Sequence, residues 1–311
     1  MIVKKNFDLR IVFWNIRYET GITLVIASAI WLLHRYEAID VALPFSVAAI
    51  LGSALAIFIA FRNQSAYGRW WEARTIWGGI INNSRIFARQ IIANTDNAVA
   101  IGKAAPEVAE AYKKEMVYRQ IAFAHALRLH LRRQTQWEEV QPLLSDNEFM
   151  DFQKAQNKPN WLLHTQGVRL KEAMRMELLG AFDNISMEPN LAAFNNWQGA
   201  CERIKNTPLP RNYHYFTRLF LYTFIFIIPF CLIGDFTKMG IDHLVPPVSF
   251  LLCFVFSVMN RVGEINEEPF EDHIQDIPMT ALCNTIERDL KEQLGETDLP
   301  KKLEPVNGYL Y

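Results

Sequence analysis

The chain has 311 residues and a mass of 36.0 kDa, and its formal net charge of -1 argues against a dedicated nucleic-acid binder. The mean hydropathy of +0.01 lies between the values of soluble and membrane proteins, as expected when apolar stretches are diluted by polar ones. The four cysteines show no CxxC spacing, so neither a zinc site nor a disulfide framework is supported.

Four apolar segments are predicted to cross a membrane. The first lies at about 19–35, although its apolar core alone is shorter than a full crossing. The second, at 41–61, is uncharged and has roughly the 20 residues that a spanning helix needs. The others lie at 216–236 and 241–260, and Pro246 of the last segment is compatible with a first helical turn.

The links between these segments predict the topology. The links at 34–40 and 237–240 are short, so each pair of segments should form an antiparallel hairpin that leaves both termini and the long middle region on one side. That side carries most of the flanking positive charge, which marks the cytoplasmic face. Its basic residues are Lys4, Lys5, Arg10, Arg17, Arg62, Arg69, Arg74, Arg85, Arg89 and Arg261, whereas the links hold only Arg35 and Lys238.

The region at 62–215 has a helical pattern throughout and no alternating strand pattern. Helices are indicated at 108–133 and 161–179. Turn signals are expected to break the region at three places, Asn157-Lys-Pro-Asn, Glu188-Pro-Asn and Thr207-Pro-Leu-Pro. The C-terminal segment 261–311 ends in a tail after Leu299 whose two prolines and one glycine are typical of an extended or mobile end.

The second apolar segment has three stripes at helical spacing. The small residues Ala48, Gly52, Ala56 and Ala60 form a stripe suited to close helix packing, and Leu51, Leu55, Phe58 and Ile59 form a bulky one for lipid or neighbouring helices. The third contains Ser53, Ile57 and Phe61. If copies of this helix surround an axis, Ile57 and Phe61 form apolar rings that gate by dewetting. The alternative is that both are ordinary core side chains of a helix bundle.

The residues that follow this helix carry a family resemblance. From Phe61 to Arg85 the chain reads FRNQSAYGRWWEARTIWGGIINNSR, which resembles the signature of the bestrophin family, especially its bacterial members. Two further stretches agree and extend the resemblance over nearly the whole chain: Gly199-Ala-Cys-Glu-Arg-Ile with Pro208-Leu-Pro and Tyr213, and Ile265-Asn-Glu-Glu-Pro-Phe before Ile277-Pro.

The resemblance implies an all-α integral membrane protein that is a single bestrophin-like domain over 1–311. Its four transmembrane helices per subunit would be continuous with a large cytoplasmic helical domain, and five copies would surround one ion pathway. It also implies the bacterial inner (plasma) membrane, with both termini cytoplasmic.

The resemblance also assigns site residues. The pore neck would be formed by Ser53, Ile57 and Phe61, the same stripe as above, and Ser53 replaces an apolar residue of relatives, which suggests a wetter or shorter neck. A cytoplasmic aperture falls near Ile185, for which the alternative is a loop anchor that packs on its own domain.

Family members activated by calcium hold the ion with an acidic cluster that is interrupted here by His273 and Ile274. We therefore expect no metal site, and we expect the acidic residues at 271–276 to form a solvated helix cap.

The signature contains a cluster of charged and aromatic side chains with two interpretations. They form either an anion-attracting vestibule or, as we favour, an interfacial belt in which aromatic rings lie at headgroup depth. Glu72 is expected to pair with a nearby arginine and to stabilise subunit packing. The cluster consists of Arg62, Arg69, Trp70, Trp71, Glu72 and Arg74.

These features predict a pore-forming subunit that conducts monovalent ions. Chloride follows from the family resemblance, but apolar rings favour neither sign, so cation selectivity stays open. The expected partners are copies of the chain, membrane lipids and monovalent ions, with no cofactor, metal or nucleic acid. The main alternative is a membrane-anchored helical scaffold without ion conduction. An enzyme ranks last, because no catalytic motif is present.

Overall fold

The computed structural model describes residues 1–4, 9–37 and 41–311. Lys5 and residues 38–40 of the first link, which the predicted topology uses, lie outside the described residues. The fold is all-α, as predicted, and its described part contains isolated β-bridges but no strand. The helices are α1 Leu9–Asn15, α2 Arg17–Glu37, α3 Phe45–Ala100, α4 Pro106–Arg132, α5 Asp146–Lys154, α6 Lys158–Arg175, α7 Ala181–Asn206, α8 Arg211–Lys238, α9 Val245–Asn266 and α10 Met279–Gln293, with 3-10 helices at Trp137–Leu143 and Asp242–Leu244.

The chain forms two compact units. The membrane unit comprises Lys4–Trp70 and Pro208–Glu268, and the helical body comprises Met1–Val3, Trp71–Thr207 and Pro269–Tyr311. α3 contributes to both, because its 56 residues run without interruption from the apolar segment into the polar part of the chain.

Three described stretches are long and apolar enough to cross a membrane, and the protein is an integral membrane protein. They are Phe45–Ala100, Ala181–Lys238, which includes α7 and α8, and Asp242–Asn266. The segments predicted at 41–61, 216–236 and 241–260 overlap these stretches. The segment predicted at 19–35 lies in α2, a 21-residue helix that is less apolar, so the count of four crossings stays a prediction.

The core of the membrane unit lies between α3, α8 and α9. Ala48, Leu55 and Ile59 of α3 are buried among apolar residues of α8, and Gly52 approaches the Phe224 ring so closely that a Cβ there would lie 3.2 Å from it. The small stripe is therefore a packing face at its start. Ala60 is exposed in the subunit, so it does not take part in this packing, and the bulky Leu55 and Ile59 continue the buried face instead.

The helical body is built around α4, most of whose residues are buried. A chain of buried hydrogen bonds crosses the body: Nε2 of Gln120 donates to Oγ of Ser84 at 2.8 Å, and Nε2 of Gln166 donates to Oε1 of Gln120 at 3.0 Å. The aromatic rings of Phe123 and Phe194 pack beside it with centroids 5.5 Å apart. These two hydrogen bonds between buried side chains fix the register of α3, α4 and α6 relative to one another.

Two of the three predicted breaks are confirmed and one is wrong. Asn157 caps α6 by accepting the N–H of Asn160, and the Thr207 stretch separates α7 from α8. The break at Glu188-Pro-Asn is absent, because α7 continues through Pro189. Proline has no N–H, so the ring leaves the carbonyl of Ile185 without its usual helical donor, a loss that tertiary packing of the rest of α7 outweighs.

The C-terminal tail is extended, as its composition suggests, but it is held in place. The N–H of Ala281 donates to the carbonyl of Tyr311 at 2.8 Å, and Val3 donates to Gly308 at 2.9 Å. Ile2 and Tyr309 form an antiparallel bridge. The two ends of the chain therefore pair with each other on the helical body.

The helical body contains an acid-sensitive contact between α4 and α10. The carboxylate of Glu287 lies 2.8 Å from Nζ of Lys291 and 3.3 Å from Nε2 of His125. The imidazole and the ammonium group lower the pKa of Glu287 to about 2 from its ordinary 4.5. A carboxyl whose pKa is lower in the folded state stabilises the fold above the unfolded pKa, and this stabilisation is lost as the pH falls from about 4.5 to about 2.

We expect Glu287→Gln to reduce the free energy of unfolding by about 2 kcal/mol at neutral pH and to flatten its decline in that pH window. The measurement is the thermal midpoint of the detergent-solubilised protein between pH 7 and pH 2. Glu292→Gln, an exposed carboxyl on the same helix, serves as the control. Equal pH profiles for the wild type and Glu287→Gln would contradict this account.

Candidate functional site

The predicted neck residues lie on the exposed face of the membrane part of α3. Ile57 is 55% exposed and Phe61 is 66% exposed. Ser53 is also exposed, and its hydroxyl donates to the carbonyl of Ala49 at 2.8 Å. The interpretation of Ile57 and Phe61 as core side chains of a bundle therefore fails within one subunit. This face is free to contact lipid, water or another subunit.

Arg62 lies on the opposite face, one residue after Phe61, and is only 3% exposed. Its guanidinium donates to Oδ1 of Asn260 and to Nδ1 of His214, each at 2.8 Å, and to Glu267 at 3.3 Å. Arg62 therefore does not present its guanidinium to solvent within one subunit, and its interfacial position stays a prediction. Arg62 ties α3 to α8 and α9, because a planar guanidinium satisfies several acceptors at once.

The remaining residues of the charged and aromatic cluster in the signature are more exposed than Arg62. The ring of Trp70, half-buried, stacks on Tyr67 with centroids 6.5 Å apart, and Trp71 is exposed. Glu72 accepts a hydrogen bond from Arg203 at 2.5 Å, so the expected pairing with an arginine is present but reaches α7. Arg69 and Arg74 are half-buried. The choice between an interfacial belt and an anion-attracting vestibule therefore stays a prediction.

The glycine pair in the signature has two different environments. A Cβ on Gly79 would lie 2.7 Å from the Trp197 ring, whereas a Cβ on Gly78 would meet only the flexible end of Arg74, at 3.6 Å. Gly79 therefore allows α7 to approach α3, and Gly78 has no such role.

We expect Gly79→Ala to lower the free energy of unfolding by about 1–3 kcal/mol, because the rigid Trp197 ring must move. Gly78→Ala is the matched control and should be neutral or stabilising by up to about 1 kcal/mol, since alanine favours a helix. Thermal midpoints of both variants in detergent measure the difference. Equal midpoints would show that the ring moves without cost.

The predicted aperture residue lies on a helix. Ile185 is 66% exposed in the second turn of α7, so it neither lies in a loop nor packs on its own domain. Phe182, one helical turn earlier, is 84% exposed and shares this face. The start of α7 is held by the carboxylate of Asp183, which accepts the N–H of Gly180 at 2.7 Å. Sequence reasoning missed Phe182, although its i, i+3 spacing from Ile185 was a usable signal.

The acidic stretch at 271–276 forms a loop, so the expected solvated helix cap is wrong. Asp276 is buried and accepts the backbone N–H groups of Glu271 and His273 at 2.7 and 3.0 Å. Asp272 pairs with Arg132 at 2.7 Å, and Glu271 pairs with Lys205. Each of these three carboxylates has at least one internal donor or cationic partner, although Oδ1 of Asp276 has none. The part of the chain that the structure describes contains no group of three or more His, Cys, Asp or Glu side chains able to hold a metal ion.

Comparison with known proteins agrees with this architecture. A family model described as Bacterial/Fungal Bestrophin protein matches residues 10–292. The chain is 30% identical to the voltage-dependent anion channel-forming protein YneE of Salmonella typhi over 286 residues, which cover 92% of this chain and 88% of the relative. The corresponding protein of Escherichia coli K12 is 29% identical over 282 residues, which cover 91% of this chain and 87% of the relative.

A solved structure shares the fold. The crystal structure of a bacterial bestrophin homologue from Klebsiella pneumoniae has a TM-score of 0.80 and 26% sequence identity, and the match covers 90% of this chain and 99% of that one. The match of the family model to most of the chain agrees with the resemblance of the stretch from Phe61 to Arg85, which lies in the uninterrupted α3. The chain belongs to the bacterial and fungal bestrophin family.

Proposed function

We propose that the chain is the pore-forming subunit of a bestrophin-type homopentameric ion channel. The observation that carries the proposal is the exposed stripe of Ser53, Ile57 and Phe61 on a membrane helix whose opposite face is buried and tied down by Arg62. In an assembly around an axis, this stripe is the neck. The two compact units act as one bestrophin-like domain over 1–311, since α3 runs through both.

The neck gates by excluding water. Rings of Ile57 and Phe61 leave permeating ions without polar partners, so a narrow ring stays dry unless it widens. Ser53 adds a hydroxyl ring one turn before Ile57, but its hydrogen already bonds the Ala49 carbonyl, which leaves the oxygen as an acceptor. The number five comes from the family resemblance.

A second constriction is proposed at the start of α7. Ile185 is exposed there and forms the aperture ring, and Phe182 extends the same apolar face. Pro189 leaves the Ile185 carbonyl without a helical donor, which adds a backbone acceptor beside the ring.

The permeant ion is proposed to be a monovalent anion, because the relatives from Salmonella typhi and Escherichia coli are named as anion channel-forming proteins. The neck itself favours neither sign, since its side chains are apolar or neutral. We place the channel in the inner (plasma) membrane of a bacterium, with both termini on the cytoplasmic side where the flanking arginines and lysines concentrate.

The test is ion flux from liposomes that contain the purified protein, under separate chloride and sodium gradients. A chloride flux that exceeds the sodium flux supports the anion channel. A sodium flux that exceeds the chloride flux supports a channel but contradicts the proposal that the permeant ion is an anion.

No flux from a correctly assembled protein contradicts the channel and favours the membrane-anchored scaffold. An enzymatic role has no support, because the named relatives are channel-forming proteins.

A further inference from the structure

A cavity of about 1130 Å³ opens at one end of the membrane unit. It is lined by the end of α1, the first turns of α2 and α8, and the last turns of α9. The predicted topology places this end at the cytoplasmic leaflet. The cavity is separate from the neck, because Ser53, Ile57 and Phe61 are not among its lining residues.

The lining of the cavity contains more arginines than glutamates. Within the described chain, Arg17, Arg211 and Arg218 take part in no ion pair. The other lining arginines are paired: Arg62 with Glu264 and Glu267, and Arg261 with Glu264. Five arginines face four glutamates in total, so the lining remains positive.

The backbone adds to this positive character. α2 begins at Arg17 and α8 begins at Arg211, so the N-termini of two long helices meet the same cavity. α8 has no side-chain cap. Uncapped N–H groups and the positive ends of helix dipoles favour an anion, and a guanidinium provides forked donors that match phosphate.

The rim is aromatic and apolar, which favours a lipid over a free anion. Trp14, Tyr18, Tyr215 and Leu219 are exposed and line the cavity beside the arginines. The guanidinium of Arg17 lies 4.1 Å from the Trp14 ring centroid and 4.4 Å from that of Tyr18, and it donates to the Trp14 carbonyl at 2.6 Å. Aromatic side chains of this kind lie at headgroup depth, and their apolar faces suit acyl chains.

We propose that this cavity binds the phosphate of an anionic phospholipid from the cytoplasmic leaflet. Arg17, Arg211 and Arg218 hold the phosphate, and Tyr215 and Leu219 of α8 contact the first part of an acyl chain. The site depends on the orientation of the membrane unit and not on ion conduction, so it can be tested even if the proposed channel function fails.

The test is native mass spectrometry of the full-length protein exchanged into micelles that contain phosphatidylglycerol or phosphatidylcholine. The variant Arg17→Gln with Arg211→Gln removes two cavity arginines at the starts of α2 and α8. The matched control is Arg35→Gln with Lys238→Gln, which removes two exposed cations near the opposite ends of the same two helices. Both changes alter the net charge by the same amount.

We expect the wild type to retain phosphatidylglycerol over phosphatidylcholine, because basic residues near a membrane surface attract anionic lipids. The cavity variant should lose this preference by roughly tenfold, which corresponds to about 1.4 kcal/mol. The control should retain it. Equal loss in both variants, or no preference in the wild type, overturns the proposal. Displacement of the bound lipid by millimolar inorganic phosphate also overturns it, because the site is then one for free phosphate.

Discussion

Truncation of the neck should produce the largest functional effect in this protein. We expect Ile57→Ala combined with Phe61→Ala to raise ion flux from liposomes at least roughly tenfold while the oligomer stays assembled. Removal of a barrier of only about 1.4 kcal/mol gives that factor, and a dry apolar constriction widens and wets when its side chains shrink. Both side chains are more than half exposed in the subunit, so their loss leaves its core intact.

The control for this change also truncates two exposed apolar side chains at the same spacing. Leu251 and Val255 lie four residues apart on α9, as Ile57 and Phe61 do on α3, and both are exposed. Leu251→Ala with Val255→Ala should leave flux unchanged. If the neck variant matches this control in flux while both assemble, Ile57 and Phe61 do not line the ion pathway, and the scaffold function gains support.

The second large effect is expected at Arg62. Arg62→Met retains the volume of the side chain but leaves the carboxylate of Glu267 and the amide oxygen of Asn260 without their donor. Breaking a buried charge pair by removal of one partner costs on the order of 3–5 kcal/mol. We therefore expect the thermal midpoint in detergent to fall by roughly 5–10 °C.

Two further variants separate charge from geometry. Arg62→Lys retains the positive charge but not the planar guanidinium. Its thermal midpoint should therefore lie between that of Arg62→Met and that of the wild type. Arg35→Met, at an exposed arginine of α2, should leave the midpoint unchanged. An unchanged midpoint for Arg62→Met would mean that the buried cluster contributes nothing to the membrane unit.

Arg62 and Phe61 are adjacent in sequence but face opposite environments, and this contrast connects stability with gating. The guanidinium contacts α8 and α9 at a fixed depth, while the phenyl ring projects from the same turn of α3. A loss of the Arg62 contacts should therefore also loosen the position of the Phe61 ring. The flux assay on Arg62→Met tests this coupling.

Local patterns were sufficient to predict the apolar segments and most helices. The stretch at 41–61 was recognised because hydropathy is a sum over neighbouring residues, and α4 and α6 were recognised because apolar residues recur at helical spacing. The Asn157 cap is likewise a contact between residues three apart. Even the family signature is a continuous string, so no long-range contact was needed to find it.

Features that depend on contacts between distant residues could not be predicted from such local patterns. The helix pattern of α3 placed Ile57, Phe61 and Leu55 on defined faces, but only packing against α8 showed that Leu55 is buried and the other two are exposed. The Pro189 break was wrong because packing of α7 outweighs one lost hydrogen bond.

The sequence by itself determined where the chain is apolar, where it is helical and which family it resembles, because these properties depend on residues close together along the chain. The tertiary structure alone decided that Arg62 is buried against Asn260, 198 residues away, that the acidic loop closes on Asp276, and that the tail pairs with the first residues. Burial and pairing depend on which surfaces meet in space, and sequence spacing does not specify that.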